Sequence, residues 1–289
     1  MSRLTNFWRS IWSHSTIDRT VSRRHGRPLP LWHSDFPIVI SWSAKSGCTT
    51  ILKWFLQHTG RLDEAIAFST WVHNYREQKM CIAPGYVEGC ARLFTDSASD
   101  KHIAKLIRDP AERAVSSYLH LLRFGGGKQQ SGLAAAVEHW KESTGLATQS
   151  GVSFRQFLTF VIDEQLQGRP LNIHFAPQYD ELQDPYVGTY IRLEDLAAAL
   201  PALEERFHLP HVDCRNLSHS HHHNRPTESH GWPATPAAFA ADQESLTVLG
   251  TPAAKAFLDK ETRALIRLAY RRDYEAYGQH YESVVNFDR

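Results

Sequence analysis

Residues 37–50 read PIVISWSAKSGCTT, and the first elements of the predicted fold follow from this stretch. Its first half is a short apolar run, rich in β-branched residues, which predicts a buried strand. Its second half is small and hydroxylated, with Lys45 and Gly47 standing out. Residues 51–58 (ILKWFLQH) then have helical length and end before Gly60. The sequence therefore predicts a strand, a tight turn and a helix.

A turn of this kind, at residues 43–50 and called the anion turn below, suits a negatively charged ligand. The N–H groups of the turn and of the helix N-terminus converge, and the helix dipole favours negative charge there. Lys45 adds a full positive charge at the same place. We expect a phosphate group to bind at this turn.

Composition narrows the class of protein. The chain has 289 residues, 42% of them hydrophobic, with a net charge of +1. It can build one α/β domain, and it lacks the basic excess of a protein that binds nucleic acid in bulk. Its four cysteines show no C-x-x-C spacing and predict reduced thiols in a cytoplasmic protein. Residues 1–30 carry no run long enough for a spanning helix, so we expect a peripheral helix or tail there and a single domain over residues 31–289.

Two further strands follow. Residues 102–107 (HIAKLI) and 186–193 (YVGTYIRL) read as buried strands, and strands alternating with helices favour a parallel sheet flanked by helices, with helical and loop insertions. Residues 61–100 and 208–236 are expected to be irregular. A last long helix is predicted from near Asp259.

The helix after the second strand has clear start signals. Asp109 takes the N-cap position, Pro110 the first helical position, and Glu112 follows three residues after the cap. Further helices are predicted around residues 154–161 and over residues 194–207.

The order of residues in the anion turn differs from the Walker A motif, which places Lys after the last Gly as G-K-[ST]. Here Lys45 comes first. This order resembles the loop of sulfotransferases that cradles the 5′-phosphosulfate of 3′-phosphoadenosine-5′-phosphosulfate (PAPS), and Gly47-Cys48-Thr49 is similar to the carbohydrate-type, family 2-like branch.

A second motif supports the same resemblance. Residues 108–118 (RDPAERAVSSY) resemble the family's 3′-phosphate element, R-D-P-x-x-R-x-x-S. Arg108 can offer a bidentate fork to a phosphate, and Ser116 lies two helical turns past the cap. Arg113 is left outside this set as a helix-surface ion pair. Residues 172–178 (NIHFAPQ) resemble the H-x-x-P-Q segment of carbohydrate sulfotransferases, and with weaker matches the resemblance covers about residues 37–277.

The resemblance implies a P-loop-like sheet and in-line transfer of a sulfuryl group from PAPS to a hydroxyl, less often an amine, without a metal. Lys45 would stabilise the departing phosphate, and Arg108 and Ser116 would bind the 3′-phosphate. The residues that would bind the 5′-phosphate are Lys45, Ser46, Gly47, Cys48, Thr49 and Thr50. The acceptor class stays open among sugars, lipids, polyketides, peptides and phenols. The aromatic side chains that could line its pocket are Trp42, Trp71, Tyr75 and Phe175.

Two of the 17 histidines are candidates for the base that takes the acceptor's proton. His73 lies downstream of the anion turn, where related enzymes carry a base, and His174 lies in the H-x-x-P-Q segment. Glu88 or another carboxylate is an alternative. The histidines of residues 219–223 sit among Ser, Asn and Pro, so we expect a loop that covers the ligands rather than a zinc site.

Two other functions remain open. A P-loop kinase would use ATP and Mg²⁺ and would carry G-K-[ST], which is absent. A non-catalytic nucleotide-binding domain would keep the fold but lose Lys45 or a base.

Overall fold

The computed structural model describes residues 28–94, 100–124, 137, 139–146, 151–217 and 231–281. The chain divides into two compact units. The sheet unit comprises Met1–Arg108 and Gln178–His221, and the helical unit comprises Asp109–Pro177 and His222–Arg289.

A three-stranded parallel sheet forms the centre of the sheet unit, in the order β1-β2-β3. The strands are β1 (Ile38–Ser41), β2 (His102–Ile107) and β3 (Thr189–Arg192). All four residues of β1 are buried, as expected for a parallel sheet that is covered by helices. The predicted α/β class and parallel sheet are confirmed. The third strand begins three residues later than predicted, because Asp184–Tyr186 form a 3₁₀ turn that contains Pro185.

The helices of the sheet unit are α1 (Cys48–His58), α2 (Leu62–Phe68), α3 (Val72–Tyr75), α4 (Tyr86–Arg92), α7 (Leu196–Arg206) and α8 (Cys214–Leu217). A π-helical turn, Arg76–Met80, continues α3. Leu193–Asp195 form a 3₁₀ turn before α7, so this helix starts two residues after its predicted first residue. The aromatic residues Trp54 and Phe55 of α1 pack with Ile40 of β1 in one buried cluster.

The irregular structure predicted for residues 61–100 was wrong over much of its length, because α2, α3, the π turn and α4 lie there. These helices are too short to be stable alone, and burial of one side stabilises them. Leu62, Val72 and Cys90 supply that buried side. The predicted loop at residues 208–236 is likewise interrupted by α8, whose Leu217 is buried in the same cluster.

A row of polar side chains crosses the buried sheet. Ser41, Lys105 and Tyr190 are register partners on the three strands. The Ser41 hydroxyl donates to Gln183 Oε1 at 2.7 Å, and the Tyr190 hydroxyl donates to Asp184 Oδ1 at 3.2 Å. The Lys105 ammonium group is ion-paired with Asp184. Gln183 and Asp184, in the segment before β3, therefore provide a hydrogen-bond or ion-pair partner for each side chain of the row.

The helical unit contains α5 (Pro110–Phe124), α6 (Phe154–Leu166), α9 (Gln243–Leu249), α10 (Lys260–Ala269) and α11 (Arg271–Tyr277). The predicted N-cap is confirmed, since Asp109 Oδ1 accepts from the Glu112 N–H at 2.9 Å. Asp259 caps α10 in a capping box with Thr262. The predicted last long helix is broken into α10 and α11, because Tyr270 has φ −120° and ψ 32° and leaves the helical conformation.

Two predictions lie outside the described residues. These are the N-terminal helix or tail up to residue 27 and the histidine loop at residues 219–223. Within the described ranges, no helix combines the length and apolar character needed to cross a membrane.

Candidate functional site

The anion turn joins β1 to α1 through two residues in left-handed backbone conformations, Lys45 (φ 70°) and Gly47 (φ 89°). A Cβ atom on Gly47 would lie 2.4 Å from Leu193 Cδ1, so a side chain at this position would force the end of Leu193 to shift, and the positive φ itself favours glycine. Backbone that alternates in this way forms concave nests of N–H groups, which bind anions.

Hydrogen bonds inside the turn hold its shape. The hydroxyl of the fully buried Ser46 donates to the Ser43 carbonyl at 2.6 Å. Residues 48–51 (CTTI), which form the first turn of α1, include no acidic side chain. The first N–H groups of a helix have no partner within it, and its N-terminus carries partial positive charge. The start of α1 is therefore suited to a negatively charged ligand.

Cys48 lies at the start of α1, close to the charge of Lys45. Burial raises the pKa of the Cys48 thiol, while the Lys45 charge and the Lys45 backbone N–H partly oppose this. The thiol is therefore neutral at physiological pH and does not compete with an anion in the turn.

His73 contacts the anion turn from α3. Its Nε2 lies 3.3 Å from the Thr49 hydroxyl oxygen. The ring is only 7% exposed and lies against Trp42 and Trp71, with ring centroids 5.8 Å and 4.8 Å away. Burial, followed by the positive charge of Arg76, lowers the pKa of His73 to about 3. His73 is therefore a neutral imidazole at physiological pH.

Arg76 is a buried cation that the sequence reasoning missed. Its guanidinium group lies over the Trp42 ring at 4.9 Å and donates to the Leu29 carbonyl at 2.9 Å. It begins the π-helical turn after α3. Nothing in the spacing of the sequence distinguishes it from a surface arginine, because its burial depends on how the short helices pack.

Arg108 follows the carboxyl end of β2 and meets the anion turn. Its Nη1 donates to the Lys45 carbonyl at 3.1 Å. The side-chain amide of Gln178 makes two hydrogen bonds with the Arg108 backbone, one to its N–H and one to its carbonyl, both at 2.8 Å. Gln178 is 1% exposed. Gln178 ends the H-x-x-P-Q segment, which by itself indicates no role for it, and in the structure it holds the Arg108 backbone from a buried position.

Ser116, the second residue predicted for the 3′-phosphate, lies half-buried on α5 in the helical unit. Arg113, on the same helix, was predicted to form an ion pair on the helix surface, but this prediction was wrong. Arg113 is 1% exposed, donates to the Ala176 carbonyl at 2.8 Å and lies over the Tyr270 ring. Arg113 therefore supports the packing of the helical unit.

His174 belongs to the helical unit and has a defined tautomer. Asn172 Oδ1 lies 3.0 Å from the His174 backbone N–H and 2.8 Å from the His174 ring Nδ1. Because an amide oxygen can only accept, Nδ1 carries the proton of this hydrogen bond, and in the neutral form of the ring Nε2 carries the lone pair. The ring of His120 stacks on the His174 ring, with centroids 4.1 Å apart.

The sheet unit thus brings together Lys45, the start of α1, His73 and Arg108, while Ser116 and His174 lie in the helical unit. No group of three or more His, Cys, Asp or Glu side chains able to hold a metal is found among the residues that the structure describes. Glu88 lies on α4.

Comparison with protein families gives one match, to the model described as the Sulfotransferase family, over residues 44–282. The matched span begins in the anion turn and covers most of the chain, so the chain belongs to the sulfotransferase family. Searches of curated proteins and of solved structures found no match. The family resemblance inferred from the two motifs is confirmed.

Proposed function

We propose that this sulfotransferase takes its sulfuryl group from PAPS and transfers it to a hydroxyl, or to an amine, of a carbohydrate or other small-molecule acceptor. The contact between Arg108 and Lys45 is the observation that carries the proposal. It joins the two sequence motifs at the carboxyl ends of adjacent parallel strands, which is where open α/β sheets bind ligands. The strand–turn–helix unit would then serve as a P-loop-like phosphate cradle.

The residues of this chain fit the phosphates of PAPS. The left-handed turn at Lys45 and Gly47 and the start of α1 offer N–H donors and positive charge to the 5′-phosphate. The hydroxyls of Thr49 and Thr50 add donors there. Arg108 and Ser116 are assigned to the 3′-phosphate, the group that distinguishes PAPS from ATP.

When bound, PAPS supplies a sulfuryl group attached to a phosphate leaving group. The sulfur–oxygen bond to that phosphate breaks, a new one forms to the acceptor oxygen, and the acceptor's proton passes to a base. Lys45 holds positive charge where negative charge develops on the leaving oxygen, so it stabilises the transition state more than the ground state.

The tautomer of His174 supports its proposed role as the base. Asn172 holds the Nδ1–H, so the Nε2 lone pair is the one that takes a proton. His73 is the other candidate for the base from the sequence. A proton on His73 would be buried and close to the charge of Arg76, and both effects weaken this ring as a base.

Trp71 is the aromatic residue that we assign to the acceptor. Of the four aromatic residues suggested by the sequence, Trp42, Tyr75 and Phe175 are buried, whereas Trp71 is 38% exposed. The exposed indole beside His73 offers an apolar surface on which a sugar ring or another flat acceptor can stack. A cytoplasmic location remains our proposal from the cysteine pattern.

The proposal that PAPS is the sulfuryl donor is tested by calorimetric titration of the protein with adenosine 3′,5′-bisphosphate (PAP) in the presence of EDTA. We expect metal-independent binding that is stronger than the binding of ATP, and a loss of about tenfold to a hundredfold in Arg108→Ala, because a charged hydrogen-bond donor is removed. Lys45→Ala is expected to lower kcat about a hundredfold or more, by analogy with the loss of one transition-state donor.

The matched control is Arg206→Ala, which removes an exposed arginine from α7 of the same unit and should leave PAP affinity unchanged. ATP binding only with Mg²⁺, and no PAP binding, would favour a P-loop kinase. PAP binding without turnover of PAPS on any acceptor would favour a non-catalytic nucleotide-binding domain.

A further inference from the structure

His73 lies outside the anion turn and contacts Thr49, one of the proposed phosphate-binding residues. Its Nε2 is 3.3 Å from Thr49 Oγ1, which lies on the first turn of α1. The ring contacts Trp42 and Trp71, and its exposure of 7% leaves little room for rotation. The hydrogen bond between His73 and Thr49 is thus made by a ring that is held in place.

Two hydrogen-bond arrangements fit this distance, and they have opposite effects on an anion. A threonine hydroxyl has one proton to donate and lone pairs to accept. If Thr49 donates to Nε2, the hydroxyl proton is used and lone pairs face the anion, which repels them. If Nε2–H donates to Thr49, the hydroxyl proton is available to the anion.

We propose that His73 is a positioning residue, whose Nε2–H donates to Thr49 Oγ1 and so directs the Thr49 hydroxyl proton toward the 5′-phosphate. This inference rests on the proposed function, since it takes the phosphate of PAPS or PAP as the anion in the turn. It assigns to His73 a role in binding PAPS or PAP, which it exerts through Thr49.

The charges around His73 favour an imidazole that stays neutral while its N–H group donates a hydrogen bond. Arg76 lies close to the ring and is itself held over Trp42 and on the Leu29 carbonyl. A second positive charge at His73 is therefore disfavoured, and burial disfavours it further. The imidazole keeps one N–H and one lone pair over the whole physiological pH range, so a bound phosphate selects the Nε2–H tautomer.

A double-mutant cycle with PAP as the probe tests the proposal. We expect Thr49→Val and His73→Leu each to weaken PAP binding about tenfold, as for the loss of one hydrogen bond to a charged group. The double variant should bind no more weakly than either single variant, because both act through one hydroxyl. Thr49→Ser and His73→Gln, which keep the hydroxyl and an N–H donor, should bind within about threefold of the wild type.

The ¹⁵N NMR spectrum of the wild-type protein with labelled histidine provides a second readout that needs no substitution of a buried residue. With PAP bound, His73 Nε2 should carry the proton. His139→Gln, which changes an exposed histidine of the helical unit, is the control for assignment and affinity.

The outcomes separate the inference from the proposed function. Independent losses that multiply to about a hundredfold in the double variant, or an Nδ1–H tautomer in the PAP complex, overturn the positioning role. Unchanged PAP affinity with a large loss of kcat in both His73 variants also overturns it and identifies His73 as the base. If wild-type protein does not bind PAP, the proposed function itself fails.

Discussion

At the scale of single residues, Gly47 determines whether the anion turn can form. Its backbone is left-handed, and the position of its missing side chain is already occupied by Leu193 from the turn after β3. The left-handed conformation costs roughly 1–2 kcal/mol for a residue with a Cβ atom, and the overlap with Leu193 adds to that cost.

We therefore predict that Gly47→Ala lowers the free energy of unfolding by about 2 kcal/mol or more and weakens PAP binding. Gly60→Ala is the matched control, because Gly60 also has positive φ (67°) but faces open space. Its cost should be limited to the roughly 1–2 kcal/mol of the left-handed backbone. Chemical denaturation of both variants measures the difference, and equal losses would show that Leu193 moves aside without cost.

Spacing in the sequence identified some site residues and could not identify others. The order of residues in two short motifs predicts a phosphate site. Lys45, Gly47 and Arg108 stand within these motifs, so they could be predicted. Arg76 and Gln178 act through burial and through contacts with distant backbone, which local spacing does not encode. The buried partner of a backbone group can be found only when the fold is known.

At the scale of the elements, the carboxyl end of β2 has its own support. Gln178 pairs with both backbone groups of Arg108 and so holds the backbone of the residue that follows the strand. A backbone held in place helps an arginine side chain to keep the geometry in which two of its donors bind one phosphate.

Gln178→Leu is predicted to lower the free energy of unfolding by about 1–3 kcal/mol, because it leaves buried backbone groups without their partner, and to weaken PAP binding about tenfold. Gln183→Leu provides the comparison, since it removes a buried hydrogen bond to Ser41 instead. Its stability should fall by a similar amount while PAP affinity stays within about threefold. Chemical denaturation measures the loss of stability in both variants, and calorimetry measures their PAP affinity. Unchanged PAP affinity in Gln178→Leu would contradict a role of Gln178 in the site.

The strands and the capped helix α5 were predicted well because each has a strong local signal, an apolar β-branched run or an N-cap followed by proline. The helices α2, α3 and α4 were not predicted. They are short, and their stability comes from burying residues such as Val72 and Cys90 against the sheet. The break at Tyr270 likewise has no proline or glycine to announce it.

At the scale of the whole molecule, stability should depend on pH through histidines that are partly or fully buried. Burial, as the largest cause, lowers the pKa of His33, His58, His73 and His102. Between pH 6.5 and the lower native values, the unfolded chain binds protons that the folded chain does not, so stability falls as the pH falls.

We predict that the free energy of unfolding drops between about pH 7.5 and pH 5.5, with His73 contributing about 1.4 kcal/mol of that loss. His73→Gln should remove this share of the pH dependence, while His139→Gln should preserve it. Denaturation curves at the two pH values measure the change. A stability that rises toward acid pH would contradict the neutral state of these rings.

The polar row of Ser41, Lys105 and Tyr190 also bears on when strand β2 can be buried during synthesis of the chain. Lys105 and Asp184, its buried counter-ion, are 79 residues apart in the chain. At ribosomal rates of roughly 5–20 residues per second, Asp184 is made about 4–16 s after Lys105. Until then the lysine must remain in water, because an unpaired buried ammonium group is costly. We therefore expect strand β2 to be buried in the finished sheet only after Asp184 has been made.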